Sequence, residues 1–366
     1  MNRRMFLGYG AALATVSQGA SAQTPARTIE LSIEPTDVEL IDGRVVFMWL
    51  YYGQDRTTPR PVLRAREGEV LTVRVRNNAP EPHGFAIPGI AGSEIPAIAP
   101  GAVGVATFAA PVGGTYLYVD PLQAPAHRLV GLHGVFVSEP ANSVTARGAL
   151  TPFSRSRLTP AVEAVFDALG PDDARFPGDP WFPAREKIWM FTQIDPTLCA
   201  LAAQRQPLDG ARVRQTFAPR YFTINGLSGF DASEDSATKP KGYVGQPLLL
   251  RTVNAGMATH APHIHGNHVL ELSGTDASGR QTIATNVIER DTWILRGLQR
   301  KDVLLPFEPP QDIPAAAWPP RDEPFPMRYA MHCHIEMSQT AGGGNYPQGL
   351  TTHWELLGPA RPVQQG

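Results

Sequence analysis

The sequence predicts an all-β protein built as two β-sandwich domains joined by a long linker. Three observations predict it. Thirty-six prolines and 34 glycines in 366 residues punctuate the chain with turns. Apolar patterns of helical period are scarce, and short alternating or apolar segments recur between the turns.

Residues 1 to 22 stand outside that fold. Met1-Asn2-Arg3-Arg4-Met5-Phe6-Leu7 leads through the apolar GYGAALATVSQ to Ala20-Ser21-Ala22. Basic, apolar and small residues in that order mark a cleavable export signal. The Arg3-Arg4 pair before Met-Phe-Leu resembles a twin-arginine signal, a route for folded and often cofactor-loaded proteins, so a periplasmic location is expected. The apolar part is too short, and too rich in Gly, Ala and Ser, for a membrane span, and no later run reaches about 18 uninterrupted apolar residues. A formal net charge of −2 without a basic run argues against nucleic acid and anionic membranes as partners.

The first domain is expected over residues 28 to 140. Its segment GEVLTVRVRNNAP, residues 68 to 80, alternates Leu71, Val73 and Val75 with Thr72, Arg74 and Arg76, then breaks at an Asn-Asn-Ala-Pro turn, as a half-buried strand does. GAVGVATFAAPVGGTYLYVD and LVGLHGVFVSEP supply further strands. Residues 141 to 185 are rich in Pro, Ser and Arg and are expected to drape over the surface as a linker. Within it, Thr159 and Pro160 form an N-cap and first-turn pair ahead of AVEAVFDALG, which predicts one short helix. The second domain is expected over 186 to 358, through EKIWMFTQI, RYFTINGLSG, QPLLLRTVNAG, HVLELSG, DTWILRGL, DVLLPFE, MRYAMHCHI and GLTTHWELL. The two domains repeat one plan: VRVRNNAPEPHGF parallels LLRTVNAGMATHAPHIHG, and the late strand of each half feeds a polar loop.

Four of the ten histidines fall in two H-x-H pairs, His263-Ile264-His265 and His332-Cys333-His334. Residues i and i+2 of a strand share a face, so each pair offers two imidazoles on one side and hides the residue between them on the other. That arrangement suits a metal centre. Thiolate with imidazole is the ligand set of a blue copper site, and imidazole alone suits copper near dioxygen. Zinc accepts the same residues, although a structural zinc site shows closely spaced Cys pairs, which are missing here. A bridge between the two cysteines, Cys199 and Cys333, is the simplest alternative in an exported chain, but the histidines flanking Cys333 give it another use. His127, His133, His268 and His353 are isolated and read as hydrogen-bonded core or surface residues.

At these residues the chain resembles the multicopper oxidases, laccase-like proteins built from cupredoxin domains. HAPHIHG is similar to that family's H-P-x-H-x-H-G motif, and HCHIEM to the start of its H-C-H-x-x-x-H-x-x-x-G-[ML] motif. RYFTINGLSG, GTYLYVD and GLHGVFVSEP extend the likeness over nearly the whole chain beyond residue 22. The resemblance implies two cupredoxin-like Greek-key sandwiches with copper as cofactor. It places His260 and Cys333 at a type 1 electron-accepting copper, and His83, His263, His265, His332 and His334 at a trinuclear site for dioxygen. Electrons would pass from Cys333 to the neighbouring histidines through the backbone.

The chain departs from the family's pattern at several positions. The first motif, H-x-H-G, reads Glu81-Pro82-His83-Gly84, leaving His83 and an oxygen ligand at Glu81. The second, H-S-H, falls on Val119-Asp120-Pro121, so five of eight trinuclear ligands remain. Ser338, or Asn345 in an alternative alignment, stands where a second type 1 His belongs, with Met337 nearby as a thioether. In the first domain His127 has the spacing of a type 1 His, but Asp120 replaces the Cys, which reads as a decayed copper loop kept as scaffold. Gly342-Gly343-Gly344 forms either a mobile cover over the copper or a plain surface loop. The expectation is an exported copper oxidoreductase with a reduced centre in the C-terminal domain, served by a small-molecule reductant or a redox partner protein. The alternative is a non-enzymatic periplasmic copper carrier or electron-transfer protein. Two-domain relatives build metal sites between subunits, which leaves homo-oligomerisation open.

Overall fold

The computed structural model describes residues 27–276, 278–319 and 323–360, and the expected export signal lies outside the described residues. Strands dominate, as the turn-rich sequence predicts. In the N-terminal half a four-stranded sheet runs in the order Val45–Gly53, Arg27–Glu39, Val70–Asn77, Val103–Ala109, and a three-stranded sheet in the order Leu63–Arg66, His133–Glu139, Gly114–Val119. Leu71, Val73 and Val75 are fully buried, as their alternation with Thr72, Arg74 and Arg76 requires, and they join Trp49, Tyr118 and Phe136 in one core.

The C-terminal half pairs a six-stranded sheet with a four-stranded one. The first runs Tyr221–Ile224, Glu186–Ile194, Leu248–Asn254, Arg300–Leu305, Val269–Thr275, Gln281–Arg290. The second runs Lys241–Gly242, Thr351–Leu356, Met327–Cys333, Pro262–Ile264. Large rings fill the space between them: Trp189 stacks on Trp293, and Tyr329 on Trp354 at 4.4 Å between centroids.

The internal repeat seen in the sequence is physical. Arg27–Glu39 lies parallel to Val70–Asn77 with Ile33 opposite Asn77, and Glu186–Ile194 lies parallel to Leu248–Asn254 with Phe191 opposite Asn254. Each strand ends in an Asn that pins the loop beyond it. Asn77 donates to the carbonyls of Glu81 and Ile98 and accepts from the Ala79 amide. Asn254 donates to those of Ala258 and Leu295 and accepts from the Gly256 amide. A buried side-chain amide satisfied on both its oxygen and its nitrogen holds a loop in one conformation.

The sandwiches pack on each other through an apolar seam. Leu117, Val119, Val135 and Val137 turn outward from the N-terminal core to meet Met190, Val253 and Ala255. Gly114–Val119 is therefore buried on both faces. The linker does not drape over the surface as expected from its composition. Phe153, Val162, Phe166 and Trp181 pack on Leu249, Leu270, Leu272 and Leu304, an apolar sheet face that would otherwise be wet. The expected helix is present at Pro160–Asp167, with the Thr159 hydroxyl accepting from the Val162 amide.

A buried polar knot closes the seam. The Arg251 guanidinium donates to Glu186 at 2.8 Å and to the Thr115 hydroxyl at 3.0 Å, and Thr115 donates to Asp302 at 2.7 Å. Arg251 is also the cation nearest the fully buried Asp302 carboxylate, at 3.9 Å. Removing one member of a buried pair leaves the other uncompensated. Arg251→Ala is expected to lower the unfolding free energy by about 3–5 kcal/mol in urea titrations. Replacing Arg27, whose ion pair with Glu69 is solvent-exposed, by Ala should cost less than about 1 kcal/mol.

Candidate metal centre

The two H-x-H pairs lie on neighbouring strands in register. Pro262–Ile264 runs antiparallel to Met327–Cys333, with His263 opposite His332 and Pro262 opposite Cys333. The intervening residues point inward, Ile264 and Cys333 each being 1 % exposed in the C-terminal core. The four imidazoles gather on the outer face: ring centroids of His263 lie 4.7 Å from His265, 5.4 Å from His332 and 4.5 Å from His334. His263, His332 and His334 each offer a nitrogen within 4.8 Å of the others. The Nε2 atoms of His265 and His332 are 3.0 Å apart. His265 and His334 are exposed, so the cluster opens to solvent.

Several contacts fix this face. Trp354 and Trp318 donate their indole N–H to the carbonyls of His265 and Gly266 at 2.9 and 2.7 Å. Gly266 has φ +72°, and a Cβ there would sit 2.5 Å from the Tyr329 ring, so the chain turns over that ring only with glycine. His263 Nδ1 donates to the Thr292 hydroxyl at 2.9 Å with Asp291 at 3.5 Å, which leaves Nε2 as its lone-pair nitrogen. His332 Nδ1 faces the Cys333 carbonyl at 3.4 Å, which leaves its Nε2, beside His265 Nε2, as the lone-pair nitrogen. Burial holds His263 at about 4 and lowers His332, and the mutual repulsion of the imidazoles adds to it. His263 and His332 therefore stand neutral at neutral pH, the form that ligates a metal. Donor set, spacing and protonation fit a copper or another divalent ion.

The structure brings His260 and Cys333 together, as the resemblance implies, but surrounds them with hydrogen bonds that compete with a type 1 copper. The Gln193 Oε1 accepts the amides of Met257 at 2.7 Å and Ala258 at 2.9 Å, so its NH2 must face the other way. That NH2 donates to His260 Nε2 and to Asn254 Oδ1. With Nε2 an acceptor, the proton of neutral His260 sits on Nδ1, which points at Cys333 Sγ 3.7 Å away. Nδ1 is then a hydrogen-bond donor and offers no lone pair to a metal beside the sulfur. Sγ also accepts the Ala261 amide at 3.2 Å. No further ligand replaces the missing His: Ser338 is buried and bonded to the Ile335 carbonyl, and Asn345 and Met337 are exposed. Cys199 and Cys333 are both free thiols.

His83 also departs from expectation. It stands six residues after Asn77, as His260 stands six after Asn254, so the repeat makes it the counterpart of His260. It belongs to a separate buried group, in which its Nδ1 meets Asp120 Oδ2 at 2.9 Å and His127 Nδ1 at 3.3 Å. Glu81 pairs with Arg205 at 3.7 Å. The resemblance misplaced His83 because the local letters H-G match two motifs, whereas the distance from the strand-end Asn separates them. Gln193 and Thr292 escaped the reading of the sequence, and no sequence signal marks either. Gly342–Gly344 is tied down by Arg220, which donates to the Gly342 carbonyl at 2.9 Å.

The architecture is that of solved copper enzymes. A blue copper oxidase from Nitrosomonas europaea superposes with a TM-score of 0.65 at 20% identity over 90% of this chain and 86% of its own. The multicopper oxidase mgLAC gives 0.64 at 18%, over 93% and 88%, and a copper nitrite reductase from Nitrosomonas europaea 0.57 at 16%, over 92% and 96%. These identities establish the shared all-β fold. No protein-family model matches the chain, and no curated protein matches it in sequence.

One prediction comes from His260, which burial lowers from 6.5 to about 4. The unfolded chain takes up a proton there below pH 6.5 while the folded chain does not. Its contribution is complete above that value and is lost as pH falls towards 4, on the order of 3 kcal/mol. Urea unfolding across this window should show the loss, and His260→Asn should reduce it, the other histidines lowered by burial supplying the rest; an unchanged slope in the variant would remove His260 as a cause.

Proposed function

We propose that this protein is a divergent, exported copper oxidoreductase related to the multicopper oxidases, whose reduced copper centre is formed by His263, His265, His332 and His334. The observation that carries the proposal is the register of His263 against His332, which brings four imidazoles onto one open strand face. Bound copper would supply one-electron chemistry, receiving an electron from a reductant and yielding it to a small oxidant such as dioxygen.

The chain's own residues define how that chemistry is served. Thr292 and Asp291 orient His263, and the two indoles fix the backbone behind His265. The exposed edges of His265 and His334 leave room for a small ligand beside the metal, as open coordination positions do in reactive sites. Since hydrogen bonds around the His260–Cys333 pair compete with a second copper, a small-molecule reductant is expected to meet the cluster directly, without an internal relay. The same competition favours the alternative, a periplasmic copper carrier or electron-transfer protein, which has no need of a relay.

Metal analysis of purified protein together with oxygen uptake in the presence of a phenolic reductant tests the proposal. Copper bound at the cluster with uptake supports the oxidoreductase; copper bound there without uptake leaves the carrier. His263→Ala/His265→Ala should abolish tight copper binding at this face, and Thr292→Val should weaken it about 10–100-fold in competition titrations. Cys333→Ser should leave copper stoichiometry unchanged, and the copper-loaded wild type should lack an intense blue thiolate band. A blue band lost in Cys333→Ser would show that the thiol ligates copper after all.

A further inference from the structure

The buried group in the N-terminal sandwich is the counterpart of the His260–Cys333 pair and differs from it in chemistry. In each half the residue after the His sends its amide to the acceptor on the late strand: Ala261 to Cys333 Sγ, and Gly84 to Asp120 Oδ1 at 3.0 Å. Leu122 donates to the same Oδ1 at 2.8 Å. Two amides thus hold Oδ1 and aim Oδ2 at the imidazoles. His83 Nδ1 lies 2.9 Å from Oδ2, His127 Nδ1 lies 2.8 Å from it, and the two nitrogens are 3.3 Å apart.

These separations are those of neighbouring ligands on one ion. Bonds of about 2.0–2.1 Å at angles between right and tetrahedral put ligand atoms about 2.9–3.3 Å apart. The tautomer clamp on His260 is missing from this half. Gln193 stands two residues beyond Phe191, which faces Asn254; two residues beyond Ile33, which faces Asn77, stands Pro35, which has no donor. His83 Nε2 is buried and meets no hydrogen-bond partner among the described residues, so the proton on Nδ1 is held only by Asp120, itself a ligand in this arrangement, and an ion between them would take that proton's place. The edge of the Trp49 ring packs 4.6 Å from His83 and 5.1 Å from His127, holding both. All three members are buried, Asp120 at 1 % exposure. Among the described residues no Lys or Arg pairs with Asp120, so a buried carboxylate faces two imidazoles with no fixed cation between them.

We infer that His83 Nδ1, His127 Nδ1 and Asp120 Oδ2 form a second metal site, for a single divalent ion of copper or zinc type. Two imidazoles and one carboxylate select such an ion over a hard calcium or magnesium, and with no sulfur in the set, copper here is colourless in the blue thiolate region. Three protein ligands leave a fourth position for water or a small anion. Asp120 also lines a largely apolar cavity of about 550 Å³ between the two halves, where Arg128 and Arg214 provide positive charge.

The test uses the full chain carrying His263→Ala/His332→Ala, which removes the C-terminal cluster and makes the outcome independent of the function proposed above. This variant is dialysed against Cu2+ alone and its metal counted. The inference expects about one Cu2+ per chain, with electron paramagnetic resonance showing coupling to imidazole nitrogen and no thiolate absorption. Adding Asp120→Asn, or separately His127→Gln, should lower affinity at least about 100-fold. Copper should also raise the thermal midpoint of the parent but not of these variants. The inference is overturned if the parent variant binds no copper, or if both substitutions, folded by circular dichroism, bind it as tightly as the parent. In that case the group is a hydrogen-bonded His–Asp–His array only.

Discussion

The candidate centre rests on a strand-pairing constraint, the register between Pro262–Ile264 and Met327–Cys333. Side chains alternate along each strand, so a slip of one strand by one residue would turn its two imidazoles into the core, bring Ile264 or Cys333 to the surface, and part the two pairs. The core opposes that slip through Trp293, Tyr329 and Trp354, packed behind the paired strands. Trp354 and Trp318 also hold the His265–Gly266 backbone by their indole N–H groups. The polar face is thus positioned by apolar contacts behind it.

Much of this was legible in the sequence, for identifiable reasons. Alternation in residues 68 to 80 reported the half-buried strand because one face of it meets the core. The H-x-H spacing reported a shared face because strand period is two. Thr159-Pro160 reported a helix start through local chemistry alone. The linker's packing was not legible, since its Pro-rich composition resembles a surface segment while its scattered Phe153, Phe166 and Trp181 act only once a sheet face lies beneath them. Motif letters assigned His83 to the C-terminal cluster, whereas it sits with Asp120 and His127. Whether a histidine ligates depends on which nitrogen carries the proton, and at His260 that is decided by Gln193, distant in sequence.

The two halves show how one scaffold tolerates different chemistry. Both keep the strand-end Asn, the His six residues on and the amide that follows it. They differ in the acceptor, a carboxylate in one and a thiol in the other, and in the residue beside the His. A small change in hydrogen-bond partners therefore separates a group of two imidazoles around one carboxylate from an imidazole–thiol pair.

The strand Gly114–Val119 has a bearing beyond the site. Because its outward side chains Leu117 and Val119 are covered by Met190, Val253 and Ala255 of the other half, neither half owns a finished exterior. Severed at the linker, each would present a bare greasy strip to solvent and clump rather than persist as a soluble module. The gene encoding such a protein is thus held together by its seam: shuffling either half into a new context would require redesigning the strip before any new activity was gained.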